Sequence, residues 1–279
     1  MTFEFDVDFF KNSYFGTLKP NFEENIMFYE KQLEIDGDAI VYKYNNKGFR
    51  CDDFTRDIDG MHILFGGCSE TEGAANLLED TWAKILYNKI KESNDVAGYY
   101  NVGKAGLTTS AVIMNVFQYI YEYGNPDYIF LYLPDQVRHI TWSIDRGFFP
   151  SYESRDIDIG EIEWKKFFNE TRHPEVVNLN ILYTHFLFKI LNQFCEINNI
   201  KLFWSTWHYP SSLPDIVGGE DLFTGYVPIF PLTREYWNIK IKDLRARDGY
   251  HYGRGFHNVW AEKFYEVFLN DKNNKTNNS

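Results

Sequence analysis

Ser69 stands where an apolar run, "HILFGG" (residues 62–67), passes through Cys68 into a helix-compatible segment. A hydroxyl at such a junction has three uses. It can cap a helix by accepting a backbone N–H, line a phosphate cradle, or act as a nucleophile. The cradle is the weakest of these, because "GGCSETEG" lacks the lysine and spacing of a P-loop, lacks G-x-G-x-x-G, and carries two acids, Glu70 and Glu72, that repel a phosphate. A nucleophilic serine needs a base to take its proton and a carboxylate to hold that base in the right tautomer. "RARDGYHYG" (245–253) supplies Asp248 and His251, three residues apart, just before a helical run. D-x-x-H also arises by chance around a structural or surface histidine, so the cap and nucleophile readings of Ser69 both stand at this point.

Other residues invite weaker chemical readings. His257 follows His251 by six positions, which makes it an alternative base but not a metal partner on one helix face. Cys68 offers a thiol, although adjacent side chains at a strand end are expected to point apart. In "STWH" (205–208), Trp207 and His208 follow an apolar run, where an aromatic platform for a sugar or acyl group competes with a simply packed tryptophan. Asp135 and Arg138 read equally well as a solvated loop pair.

The elements that would bring these residues together are legible as alternating periods. "MHILFG" (61–66) is a short apolar run closed by glycines, and Leu78, Trp82, Ile85, Leu86 and Ile90 then recur at helical spacing. "AGYYNVG" leads to Ile113, Val116, Phe117, Ile120 and Tyr121, and "DYIFLYL" (127–133) is a third buried strand. A helix from about Pro174 to Asn198, with Phe186, Leu187, Ile190, Leu191 and Phe194 inward, precedes "IKLFWST" (200–206). The last helix carries Phe256, Val259, Trp260, Phe264 and Val267. Strands alternating with helices predict an α/β fold, a central parallel sheet covered on both faces. In such a sheet the site lies at the carboxyl ends of the strands, where Ser69, Gly103 and Gly106, "PDQVR" and "TWH" all fall. The expected organisation is an N-terminal extension over 1–60 with a hairpin around "VYKYNNKGFR", a catalytic-type domain over 61–269, and a polar, disordered tail over 270–279. Two long loops, 135–173 and 208–244, break the rhythm and are expected to form functional surface.

Composition narrows the partners. A 279-residue chain that is 44% hydrophobic and 19% aromatic can bury a large core. Its net charge of −12 argues against nucleic acid as a partner. No run of about 18 apolar residues suggests a membrane span, and "MTFEFDVDFF" has neither the basic leader nor the apolar core of a secretory signal. Three widely spaced cysteines read as free thiols in a reducing compartment.

Four segments together resemble the SGNH (GDSL-like) hydrolases. "ILFGGCSETEG" resembles their first block, with Cys68 where the family has Asp, and "NVGKAGLTT" (101–109) resembles the second. "RARDGYHYG" is similar to the last, and "YKYNNKGFRCDDF" to the Asn-x-x-Gly-Phe-Arg segment that precedes the first. They occur in family order over about residues 41–265. Position 71 is Thr, so Ser69 is not in the G-x-S-x-G elbow of α/β-hydrolases.

The resemblance implies a three-layer α/β/α, flavodoxin-like fold. It implies Ser69 as nucleophile, His251 as general base and Asp248 as its orienting partner, with the N–H groups of Ser69 and Gly106 as oxyanion donors. The family's third block, Gly-x-Asn-Asp, has no counterpart: "LYLPDQVRHI" follows the third strand without an Asn, leaving Gln136 or Arg138 as substitute donors. Losing one such donor elsewhere costs roughly 100-fold to 1000-fold in turnover. The implied activity is hydrolysis of an ester, such as an acylated carbohydrate, with no metal or organic cofactor. Trp207 and His208 are the expected substrate contacts, and a cytoplasmic or viral (phage-like) setting is expected. A non-catalytic SGNH-fold binding or virion protein is the alternative reading, and an acyltransferase is a third.

Overall fold

The computed structural model describes residues 40, 42–134, 139–143, 147–151, 174–206, 225–227, 246 and 251–277. Six strands are present among them: β1 (Ile63–Gly67), β2 (Tyr100–Asn101), β3 (Tyr128–Leu133), β4 (His139–Ser143), β5 (Gly147–Ser151) and β6 (Lys201–Thr206). Five α-helices accompany them: α1 (Ser69–Glu72), α2 (Trp82–Lys91), α3 (Thr109–Tyr123), α4 (Pro174–Ile197) and α5 (Arg254–Asn277).

The sheet is parallel throughout, in the order β2-β1-β3-β6. Its residues alternate between two cores, as a strand's period of two requires. Ile63, Phe65, Tyr128, Phe130 and Tyr132 point to a core shared with Trp82 and Leu86 of α2 and Trp260 and Phe264 of α5. Leu64, Ile129, Leu131 and Leu133 point to the other, with Val112 and Val116 of α3 and Phe188 and Leu191 of α4. Helix pairs on both faces make this the expected three-layer α/β/α architecture.

The N-terminal segment contributes to the same body. Phe49 and Phe54 are buried in the core with Tyr100 and Tyr119. Where a hairpin is expected, residues 42–60 form a turn at Asn45–Gly48 and no strand. The Asn45 side chain accounts for this difference. Its Oδ1 accepts the N–H groups of Lys47 and Phe49 at 3.0 and 2.9 Å, and so takes donors that a strand partner would need.

Four other expectations are revised. The helix after β1 is interrupted: α1 is one turn, closed by Gly73 at φ 80°, and α2 starts at Trp82 after Thr81, whose hydroxyl caps it. On α4 the buried arc runs through Thr184, His185, Phe188, Leu191 and Cys195, whereas Phe186 and Ile190 are exposed. That helix has apolar residues around much of its circumference, so its period does not select the face. Within the segment read as a long loop, β4 and β5 pair as an antiparallel ribbon. Finally, α5 continues through Asn277, past the start of the expected tail. Asp271 anchors this stretch by accepting from Tyr128 Oη at 2.9 Å and pairing with Lys201 at 3.2 Å.

Candidate active site

Because every strand of the four-stranded sheet runs the same way, the ends of β1, β2 and β3 deliver Cys68–Ser69, Val102–Gly103 and Pro134 to one edge. Ser69 opens α1, and the N-cap position belongs to Cys68, which makes no side-chain cap hydrogen bond. Its Oγ lies 3.7 Å from Cys68 Sγ. The serine is therefore not the helix cap that its position suggested, and the two neighbouring side chains do not diverge as expected. Cys68 is completely buried, whereas Ser69 retains 6% of its surface. The turn can pack tightly against the sheet because Gly67 and Gly103 have no Cβ; one added at either place would strike Thr71.

The segment after β2 is tied to this turn. Asn101, wholly buried, donates from Nδ2 to Thr71 O at 2.9 Å and accepts Gly103 N–H at Oδ1 at 2.7 Å. Lys104 N–H donates to Gly67 O, and Leu107 N–H returns to Lys104 O, both at 3.3 Å. That turn carries Gly106 at φ 84°, a conformation that glycine adopts without a Cβ penalty. Thr108 then caps α3 by accepting Ala111 N–H.

The segment before α5 docks on the same turn from the other side. Tyr252 N–H donates to Glu70 Oε1 at 3.3 Å, and Asn76 Nδ2 donates to Tyr252 O at 2.9 Å. His251, half-buried, is the residue next to this double tie, and its carbonyl accepts Ala246 N–H at 2.9 Å. The segments that carry Ser69, Gly106 and His251, far apart in sequence, thus meet at the carboxyl edge of β1. Asp248, Gln136, Arg138, Trp207 and His208 lie outside the described residues.

His257 has a different environment from His251. It is fully buried, and its Nδ1 accepts the N–H of Trp82, the first residue of α2. Nε2 must then carry the proton of the neutral ring. Burial pushes its pKa down to about 3, with the His251 charge adding to the effect and a hydrogen bond to the Tyr252 backbone opposing it. A neutral ring makes its 3.6 Å approach to Glu70 Oε2 a polar contact, not an ion pair. It is a structural histidine with no free acceptor for a nucleophile's proton. Burial, then the Glu70 charge, also holds the Tyr132 phenol well above its usual pKa, so it stays protonated at this edge.

Periodicity could not point to three buried charged residues around the site. Arg50 donates from Nη1 to Gly73 O at 2.8 Å and Glu72 O at 3.2 Å, and from Nη2 to Asn76 O at 3.0 Å, while its guanidinium lies 4.1 Å from the Tyr42 ring centroid. It thus holds the carbonyls released at the end of α1, the kind of orphan acceptors that every helix end leaves. Glu72 and Lys104 pair at 2.5 Å beneath the turn. The only sequence signals were the placement of Arg50 in "NNKGFR" and of Lys104 in "NVGKAG".

Among the described residues there is no cluster of three His, Cys, Asp or Glu suited to a metal ion, and no helix is long and apolar enough to cross a membrane. A cleft of about 700 Å³ lies at the amino edge of the sheet, between the end of α4, the start of β6 and the last turns of α5. None of its lining residues belongs to the segments that meet at Ser69.

Comparisons with protein-family models and with curated proteins return no match. Among solved structures, the chain is similar to a member of the lipolytic protein G-D-S-L family from Veillonella parvula. That likeness has 15% identity, a TM-score of 0.43, and coverage of 75% of this chain and 98% of that one. It is also similar to the psychrotrophic esterase EstA from a Pseudoalteromonas species, at 16% identity, coverage of 76% and 98%, and a TM-score of 0.38. A third likeness is to LAE5, an alpha/beta hydrolase enzyme from the metagenome of Lake Arreo, at 14% identity, coverage of 76% and 94%, and a TM-score of 0.42. Identities this low leave residue roles to the geometry of this chain.

Proposed function

We propose that this chain is a serine hydrolase of SGNH type that cleaves an ester bond through Ser69. The observation that carries the reading is the convergence of the Ser69 turn, the Gly106 turn and the His251 segment at the carboxyl edge of β1. That Ser69 has no capping duty strengthens it, since the bland use of the hydroxyl is gone. The order of the blocks in the sequence, resembling that of the SGNH hydrolases, adds to it.

In this mechanism His251 takes the Ser69 Oγ proton as the oxygen attacks the ester carbonyl carbon, and Asp248 holds the imidazole in the tautomer that leaves one nitrogen free to accept. The carbonyl oxygen becomes an oxyanion received by the N–H groups of Ser69 and Gly106, with Gln136 or Arg138 as the third donor. Fixed dipoles aimed at that position stabilise charge that exists only in the transition state. Collapse breaks the ester C–O bond, and His251 returns its proton to the departing alcohol. Water, deprotonated by His251, then attacks the acyl carbon; the C–Oγ bond breaks, Ser69 Oγ takes the proton back from His251, and the acid is released. The substrate class is a small ester, with an O-acylated carbohydrate the proposed form, seated beside Trp207 and His208.

Labelling with a fluorophosphonate probe tests this reading. Modification is expected at Ser69 and to be lost in Ser69→Ala and His251→Ala variants that retain the wild-type melting temperature. A folded wild-type protein that takes up no probe would refute it and favour a non-catalytic binding role for the fold.

A further inference from the structure

We infer that Glu72 and Lys104 are a positioning pair that sets the Gly106 N–H against Ser69; the inference rests on the serine-hydrolase reading above. Three donors from two separate stretches of chain, Tyr44 and Lys104–Ala105, meet on the one Glu72 carboxylate. Lys104 Nζ donates to Oε1 at 2.5 Å, Tyr44 Oη to Oε1 at 3.0 Å, and Ala105 N–H to Oε2 at 2.7 Å. Lys104 Nζ also lies 3.9 Å from the Tyr44 ring centroid. Both charged side chains are almost wholly buried, at 6% and 5% exposure.

The peptide between Lys104 and Ala105 is held at both ends. Its N–H goes to Glu72, and its carbonyl, Lys104 O, accepts from Leu107 N–H. Only the torsions of Ala105 separate this fixed plane from the Gly106 N–H. On the other side, Glu72 is the last residue of the single helical turn that Ser69 begins, and that turn is closed by Gly73 N–H on Ser69 O at 2.9 Å. One carboxylate therefore couples the nucleophile's turn to the turn that presents an oxyanion donor.

Stability does not require a buried ion pair here. Apolar pairs of similar volume often serve as well or better, because burying two charges carries a desolvation cost. An apolar pair cannot, however, receive the Ala105 N–H. Oxyanion donors act only when aimed to within about 0.5 Å, so the acceptor matters more to turnover than to folding.

The test compares wild type with Glu72→Gln and with the double variant Glu72→Met/Lys104→Met. It measures melting temperature, the rate of fluorophosphonate labelling at Ser69, and hydrogen exchange at the Gly106 amide. The double variant, which leaves Ala105 N–H and Tyr44 Oη without their acceptor, is expected to fold cooperatively at a lowered melting temperature and to label about tenfold or more slowly, with faster exchange at Gly106. Labelling and exchange at wild-type rates in the double variant would overturn the inference. Should that variant fail to fold, the same wild-type rates in Glu72→Gln would overturn it. Should the wild-type protein itself not label, the hydrolase reading falls, and unchanged Gly106 exchange in either folded variant separately removes the coupling.

Discussion

At the scale of single residues, the two histidines before and within α5 show how burial separates roles that spacing leaves equal. His251 is half-buried beside the Ser69 turn, while His257 is enclosed and spends Nδ1 on Trp82 N–H. A folded pKa of about 3 against an ordinary 6.5 means that the unfolded chain takes up the proton first. Stability from this group is therefore complete above about pH 6.5 and is lost as pH falls toward 3, by on the order of 1.4 kcal/mol per unit. His257→Asn keeps an acceptor, Oδ1, in the place of Nδ1 for Trp82 N–H but does not titrate. Between about pH 7.5 and pH 5, wild type is expected to lose about 2 kcal/mol more unfolding free energy than the variant, read by urea titration. Equal losses in both proteins would show that His257 is not held neutral. Neither the enclosure of His257 nor the Glu72–Lys104 pair was legible in the sequence, because both depend on which distant segments close over them.

At the scale of elements, the Ser69 turn is a one-turn helix that cannot hold its own shape. A single turn leaves nearly all its backbone groups unpaired within itself, and Arg50 supplies the missing donors from a segment upstream of the sheet. Arg50→Met strands the buried carbonyls of Glu72 and Asn76 and leaves Gly73 O only the Asn76 N–H at 3.1 Å, and is expected to cost about 3 kcal/mol in unfolding free energy. Arg50→Lys restores only part of this, since an ammonium cannot span acceptors as a planar guanidinium does. A loss below about 0.5 kcal/mol for Arg50→Met would show that the turn is supported elsewhere. The strands of the sheet were readable as apolar runs and the start of α2 as a periodic stretch. The inward face of α4 was not, because Phe186 and Ile190 look as apolar as Phe188 and Leu191 and only the packed partner distinguishes them.

At the scale of the whole molecule, residues before the sheet belong to its core. Phe49 is fully buried, and Phe54 packs edge-on against Tyr100 and Tyr119 at 5.9 and 5.1 Å. A chain beginning at residue 61 loses these rings and Arg50 together. It is expected to lack a cooperative thermal transition and near-ultraviolet circular dichroism, and a truncated protein with native signals would place the domain boundary at 60 after all. By itself the sequence determined the α/β class, the four parallel strands and the sheet edge at which the Ser69, Gly106 and His251 segments meet. These follow from local alternation of apolar runs and helical periods, and from the rule that parallel strands end together. Only the tertiary structure decided that Ser69 is not a cap, that His257 is structural, and that Arg50, Glu72 and Lys104 hold the turns around the serine. Burial of a charge and the meeting of segments some thirty to one hundred and eighty positions apart are properties of packing, and packing leaves no period in the chain.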